Sequence, residues 1–194
     1  METFDIEQIN KLIQSRRSVF PKQYSDRKVE KYIIDQLLEN ANWAPNHGKT
    51  EPWRFFVFTG AALEKLGKYQ AEVYKQSTPV ENFLQAKYEK LLTNPSKASH
   101  VIAIVMQRQD SERIPEIEEI EAVACAVQNM HLTATAYGVG AYWSTGGLTY
   151  TEQGKEMLGL GEKDLLLGFF YVGYPEATIP EGKRKPVEEK TTWV

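Results

Sequence analysis

The sequence predicts an α+β fold in which helices flank a layered sheet, and three observations lead there. Four short runs rich in apolar, β-branched and aromatic residues read as strands. Helices precede, separate and follow these runs without the regular strand–helix–strand alternation of a doubly wound sheet. One long stretch, 115–138, carries no charge after its acidic start and has apolar or small residues on every face, the pattern of a helix buried at the centre. The 194 residues, 42% hydrophobic and 25% charged, fit one globular domain spanning 1–194 with a substantial core.

Taken in order, Ile6, Ile9, Leu12 and Ile13 recur at helical spacing, and this first helix runs into Arg16-Arg17-Ser18. A second helix begins at the capping residues Ser25-Asp26 and carries Val29, Ile33, Leu37 and Ala41 on one stripe before breaking ahead of Pro45. After the loop from Asn46 to Pro52, the run Trp53 to Phe58 is a strand closed by Thr59-Gly60. Residues 61–77 and about 81–93 form two helices, the second stopping near Asn94-Pro95 with a lysine-rich outer surface. Val101 to Met106 is the second strand. The central helix follows, opened by Pro115 and closed by Gly138, with Glu116, Glu118, Glu119 and Glu121 complementing the positive end of its dipole. Small residues at Ala122, Ala126, Ala134 and Ala136 suit close packing, including against a second copy. Ala141 to Thr145 is the third strand. Thr151 caps a short helix to Leu160, and Leu165 to Gly173 is the fourth strand. The tail ends in the apolar Trp193-Val194, odd for a chain end in solvent, and one account is that it joins the sheet of a partner subunit.

The totals exclude several classes. A net charge of −3 argues against nucleic acid as a partner. Gln128, Asn129 and His131 interrupt the central apolar stretch, so it is no membrane span. The single cysteine, Cys125, forms no internal disulfide and reads as a packing residue, and the N-terminus lacks a signal-peptide pattern; a cytoplasmic protein is expected. The three histidines have no metal-ligand spacing, so no metal is expected. Gly138-Val139-Gly140 fails as a dinucleotide fingerprint because Trp143 stands in place of the third glycine and the order is helix–turn–strand.

Three constellations carry chemistry. Arg16, Arg17 and Ser18 offer two planar guanidinium forks and a hydroxyl, which suit a phosphate monoester. Lys183-Arg184-Lys185 is a second basic cluster in an acidic chain; alone, each cluster is most simply a solvated end. His47 sits in a loop between helix and strand, where ligand-contacting groups are often carried, and a capping or surface histidine is the plainer alternative. His131, inside the core helix, reads as satisfied by a neighbour.

Together these stretches resemble the FMN-dependent nitroreductase family, in particular its short single-domain branch. Arg16-Arg17-Ser18, Ala44-Pro45-Asn46-His47 with Glu51-Pro52-Trp53-Arg54-Phe55, Ala126 to Asn129 leading into Gly138 to Gly146, and Leu167 to Pro175 carry the match in order along nearly the whole chain. The resemblance implies a mostly antiparallel central sheet flanked by helices, an intertwined homodimer with the tail from about 176 to 194 embracing the partner, and FMN at the interface. It implies that Arg16, Arg17, Ser18 and the tail residue Arg184 hold the FMN phosphate and ribityl side. It likewise implies that Trp43 and His47 reach the flavin from the other subunit, and that Trp143, Ser144 and Thr145 lie along the ring. Residues 134–139 would border a nicotinamide-binding stretch. Lys49 and Glu51 depart from the Asn and Gln that many members carry in that loop.

The activity so implied is NAD(P)H-dependent flavin oxidoreduction of nitroaromatics, quinones or similar electron-poor acceptors by ping-pong hydride transfer, with the cofactor doing the redox chemistry and no catalytic side chain required. The alternatives are a specialised reaction such as reductive dehalogenation or ring dehydrogenation, a dimeric FMN-binding protein without turnover, and a structural dimer with an empty pocket.

Overall fold

The computed structural model describes residues 3–194. The expected α+β architecture is present: six α-helices among the described residues surround one sheet of four strands, ordered β1-β2-β4-β3 and antiparallel throughout. The strands are β1 (Trp53–Thr59), β2 (His100–Met106), β3 (Gly140–Ser144) and β4 (Leu165–Gly173). The helices are α1 (Ile6–Ser15), α2 (Lys31–Asn42), α3 (Ala61–Ser77), α4 (Gln85–Lys97), α5 (Glu116–Ala136) and α6 (Glu152–Leu158).

The central strands β2 and β4 are buried on both faces, which explains their unbroken apolar runs. Side chains alternate along a strand. Ile102, Ile104 and Met106 therefore join Phe170 and Val172 in a layer with Ile33 and Leu37 of α2 and Val123, Val127 and Met130 of α5. Val101, Ala103 and Val105 join Phe169 and Tyr171 in the opposite layer, with Leu63 and Leu66 of α3 and Leu148. At about 25 cal/mol per Å² of apolar surface, these two layers are the main source of stability.

Several local expectations are corrected. α2 starts at Lys31, not at Ser25-Asp26, because a stronger competitor claims that segment. Ser25 donates its backbone N–H to Tyr174 O at 2.9 Å, and Val29 N–H goes to Ser99 Oγ at 2.7 Å, so residues 24–30 stay outside the helix, tied to the end of β4 and the start of β2. α4 runs on to Lys97 with Pro95 buried in its last turn, so the proline does not stop the helix where expected and only two residues continue beyond it. Thr145 lies just past the end of β3, and α6 ends at the left-handed Gly159, with Thr151 capping its start as expected.

α5 occupies the expected place, but burial is one-sided. Ala122, Val123, Ala126, Val127, Met130 and Ala134 are covered, while Glu121, Ala124, Cys125 and Gln128 are exposed and Ile117 is 58% exposed. Cys125 is therefore not a packing residue within this chain. Ile6, Ile13 and Phe4 at α1 and Trp193 at the tail are likewise uncovered apolar groups. No helix among the described residues is long and apolar enough to cross a membrane.

Candidate functional site

The two basic clusters converge. Arg16 caps the end of α1, and the chain then runs so that Ser18 bridges Ala141 and Val19 N–H reaches Ala141 O at 2.9 Å. A side chain at Gly140 would sit 2.9 Å from Val19 Cβ, so glycine there permits the close approach. The result is an open groove of about 1230 Å³ whose walls include Arg16, Arg17, Gln128, Thr135, Gly140 and Arg184.

Arg17 ties this groove to the tail. Its guanidinium donates to Gln14 O at 2.6 Å and to Pro180 O at 3.3 Å. The tail crosses it at Gly182, where a Cβ would stand 2.5 Å from Arg17 Cζ. The third arginine is close enough to be felt electrostatically. Burial, then the positive charges of Arg184 and Arg17, hold the Arg16 guanidinium below its ordinary pKa. Mutual repulsion of this kind is relieved by a bound anion, and phosphate is among the anions that guanidinium forks fit. Ser18 is exposed and stands beside the groove rather than in its wall. Thr135, Gly138 and Val139, from the stretch linked to nicotinamide, line the same groove.

His131 lies beneath this region, in edge-to-face contact with Phe170 at 4.7 Å between ring centroids. It is buried, and its Nδ1 has no hydrogen-bond partner among the described residues, contrary to the expectation of a satisfied core histidine. Burial, and then the charge of Arg16, pushes its pKa down to about 4.

Trp43 and His47 lie elsewhere. Trp43 ends α2, is 78% exposed and donates its indole N–H to Glu39 at 3.1 Å. In the loop that follows, Gly48, Lys49 and Glu51 all have left-handed backbone, at φ of 65°, 55° and 44°. For lysine and glutamate this conformation is strained, and strain persists only where surroundings hold it. Here Asn46 Oδ1 accepts Glu51 N–H at 3.1 Å, and Arg54 donates to Glu51 O at 2.8 Å. His47 Nδ1 meets Glu118 Oε2 of α5 at 2.6 Å.

On β3, Trp143 is half-buried and donates its indole N–H to Leu167 O at 3.1 Å. That carbonyl is available because the pairing of β2 with β4 skips Leu167 at a bulge. Gly168, at φ 132°, makes room: a Cβ there would fall 2.5 Å from Ser144 O. Ser144 is partly buried at the strand end and Thr145 is exposed beyond it.

The chain therefore brings Arg16, Arg17 and Arg184 together, with Ser18 and the start of β3 beside them, and holds His47 at the opposite end of α5, while Trp43 stands exposed at the end of α2. The sequence reading missed Glu118, Asn46 and Arg54, which fix the loop, and Gly182, which admits the tail. Glu118 was legible only as one of several acids at a helix start; the glycine in Leu167-Gly168-Phe169 was the one available sign of the bulge.

The fold is an antiparallel sheet flanked by helices with an arginine-lined groove beside it, and comparison places it in a family. A model described as the Nitroreductase family matches residues 13–174, and the chain belongs to the nitroreductase family. YfhC of Bacillus subtilis (strain 168), provisionally named an NAD(P)H nitroreductase, is 28% identical over 182 residues, covering 93% of this chain and 91% of that protein. A crystal structure of a nitroreductase-like family protein from Bacillus cereus is 30% identical, with a TM-score of 0.82 over 100% of this chain and 98% of that one. The FMN-dependent nitroreductase NfnB from Mycobacterium smegmatis, solved in complex with NADPH, shares the fold at 19% identity and a TM-score of 0.75, over 98% of this chain and 100% of that one.

Proposed function

We propose that this protein is an NAD(P)H-dependent FMN oxidoreductase that reduces nitroaromatics, quinones or similar electron-poor acceptors in a ping-pong cycle. The observation that carries the reading is the convergence of Arg16, Arg17 and Arg184 on one groove, with the Arg16 guanidinium held below its ordinary pKa first by burial and then by the charge of the other two. FMN ends in a phosphate of matching charge. When bound, it would supply the redox chemistry between a nicotinamide donor and the acceptor. The protein's own part is to hold and orient. Arg16, Arg17 and Arg184 hold the phosphate, Ser18 serves the ribityl side, and Trp143, Ser144 and Thr145 lie along the ring.

Trp43 and His47 belong to the same site only if two copies share it. His47 is anchored at Glu118, whereas the groove borders Gln128 and Thr135, about 15 to 25 Å further along α5 at its rise of about 1.5 Å per residue. A two-fold axis crossing the exposed Ala124–Cys125 face pairs position 118 of one copy with position 131 of the other, between Gln128 and Thr135. That arrangement buries the uncovered side of α5 and delivers each loop to the other copy's groove. The tail from 176 to 194, with its exposed Trp193, would wrap the partner, and β1 offers it an unpaired sheet edge.

The test is the visible spectrum of the protein reconstituted with FMN, before and after anaerobic NADH and NADPH. A flavin spectrum that bleaches is expected. Colour without bleaching would mean a flavin carrier without turnover, and a colourless protein would remove the cofactor assignment. Arg184→Ala and Arg17→Ala should each weaken FMN retention about tenfold or more, the scale of a lost charge-assisted hydrogen bond.

A further inference from the structure

The His47–Glu118 contact fixes more than a loop position. A carboxylate only accepts hydrogen bonds, so at 2.6 Å the His47 Nδ1 carries the hydrogen. In the neutral ring the lone pair then resides on Nε2, which becomes an acceptor. Nε2 has no partner among the described residues, and the ring is 63% exposed. Glu118 shares a helix face with the exposed Glu121, Cys125 and Gln128, at intervals of three and four residues. The acceptor is thus displayed along the uncovered side of α5.

The support beneath the ring is doubled. Ile114 Cδ1 stands 3.0 Å from where a Cβ of Gly48 would be, closing off the loop from behind. Ile114 O in turn accepts from Arg108 at 2.7 Å, and Arg108 is paired with the fully buried Glu119. Adjacent residues of the first turns of α5 therefore hold the loop by two routes, Glu118 directly and Glu119 through Arg108 and Ile114. Such restraint is unnecessary for an idle surface histidine.

We infer that Glu118 is a positioning residue that locks His47 in the Nδ1–H tautomer and presents Nε2 as an acceptor to an N–H donor on the edge of a bound heterocycle. This rests on the function proposed above, which brings the loop to a flavin in the second copy's groove; the imide N–H is the donor that the edge of that ring would offer. Without Glu118, the ring relaxes to the Nε2–H tautomer that a free histidine side chain favours. A donor then faces a donor.

The deciding measurement is a long-range proton–nitrogen NMR spectrum of ¹⁵N-histidine-labelled protein above pH 8, read with FMN affinity. The chain has three histidines, so His47→Ala assigns the His47 signals by difference. In the wild type His47 should be Nδ1–H, and in Glu118→Ala it should be Nε2–H. Both variants should hold FMN about tenfold less tightly. Glu118 is part-exposed, so its removal leaves the core intact. A wild-type Nε2–H signal overturns the proposal, as does a tautomer that changes in Glu118→Ala without any change in FMN affinity. A wild type that takes up no FMN overturns the flavin reading and the ligand side of this inference together, while the tautomer spectrum still decides the Glu118–His47 pairing.

Discussion

His131 illustrates how one side chain ties stability to pH. In the unfolded chain it titrates near 6.5, and in the fold near about 4, because burial and then the charge of Arg16 disfavour the imidazolium. Between those values the unfolded state binds a proton that the native state refuses, so stability falls as pH drops. The window is pH 6.5 down to about 4, with full stability above it, and the contribution lost is about 3 kcal/mol. Urea midpoints at pH 7 and pH 4.5 should fall further apart in the wild type than in His131→Leu; equal pH sensitivity in the two would reject this account. The helical spacing placed His131 in the core correctly. Its burial against Phe170 and the charge of Arg16 come from remote segments, and no local pattern reports them.

Among elements, the α3–α4 pair shows which of two opposed effects dominates. Gly67 lies in the middle of α3, where alanine would be favoured by about 1 kcal/mol on helix propensity alone. A Cβ there would fall 2.2 Å from Leu92 O, a backbone atom of α4 that cannot swing aside. Overpacking of that kind costs about 1–3 kcal/mol or more. The helices must separate, so Gly67→Ala should lower the thermal midpoint by several degrees, whereas a gain would mean that α3 and α4 are loosely docked. The same scale explains what was legible. Apolar runs gave the strands because β2 and β4 are buried on both faces, and period and caps gave α3, α5 and α6. The start of α2 was not legible, since Ser25 is a sound cap by local chemistry and loses to a hydrogen bond with Tyr174, about 150 residues away.

At the scale of the molecule, the arginines were visible in the sequence as two clusters, but their meeting was not. Arg16 and Arg184 are joined only when the tail folds back past Arg17 at Gly182. The exposure of Ala124 and Cys125 was hidden for a similar reason: a helix apolar on all sides looks the same whether its cover comes from its own chain or from another copy. On the proposed two-copy site, each flavin takes its arginines from one chain and its histidine loop from the other. Arg184→Ala and His47→Ala proteins, each poor in FMN, should therefore regain flavin when unfolded together and refolded as a mixture, because half the pairs contain one intact site. Recovery no greater than the average of the two separate preparations would show that a single chain builds its own site.

The one-sided burial of α5 also has a hereditary consequence. When the two halves of a site sit at opposite ends of one helix, damage is not confined to the molecule that carries it. A chain altered at both Arg184 and His47, paired with a normal one, spoils both sites of the pair, since each site inherits one broken half. With random pairing a quarter of the sites survive in either arrangement: gathered in wholly normal pairs when both lesions lie on one gene, and spread as one site per mixed pair when they lie on two.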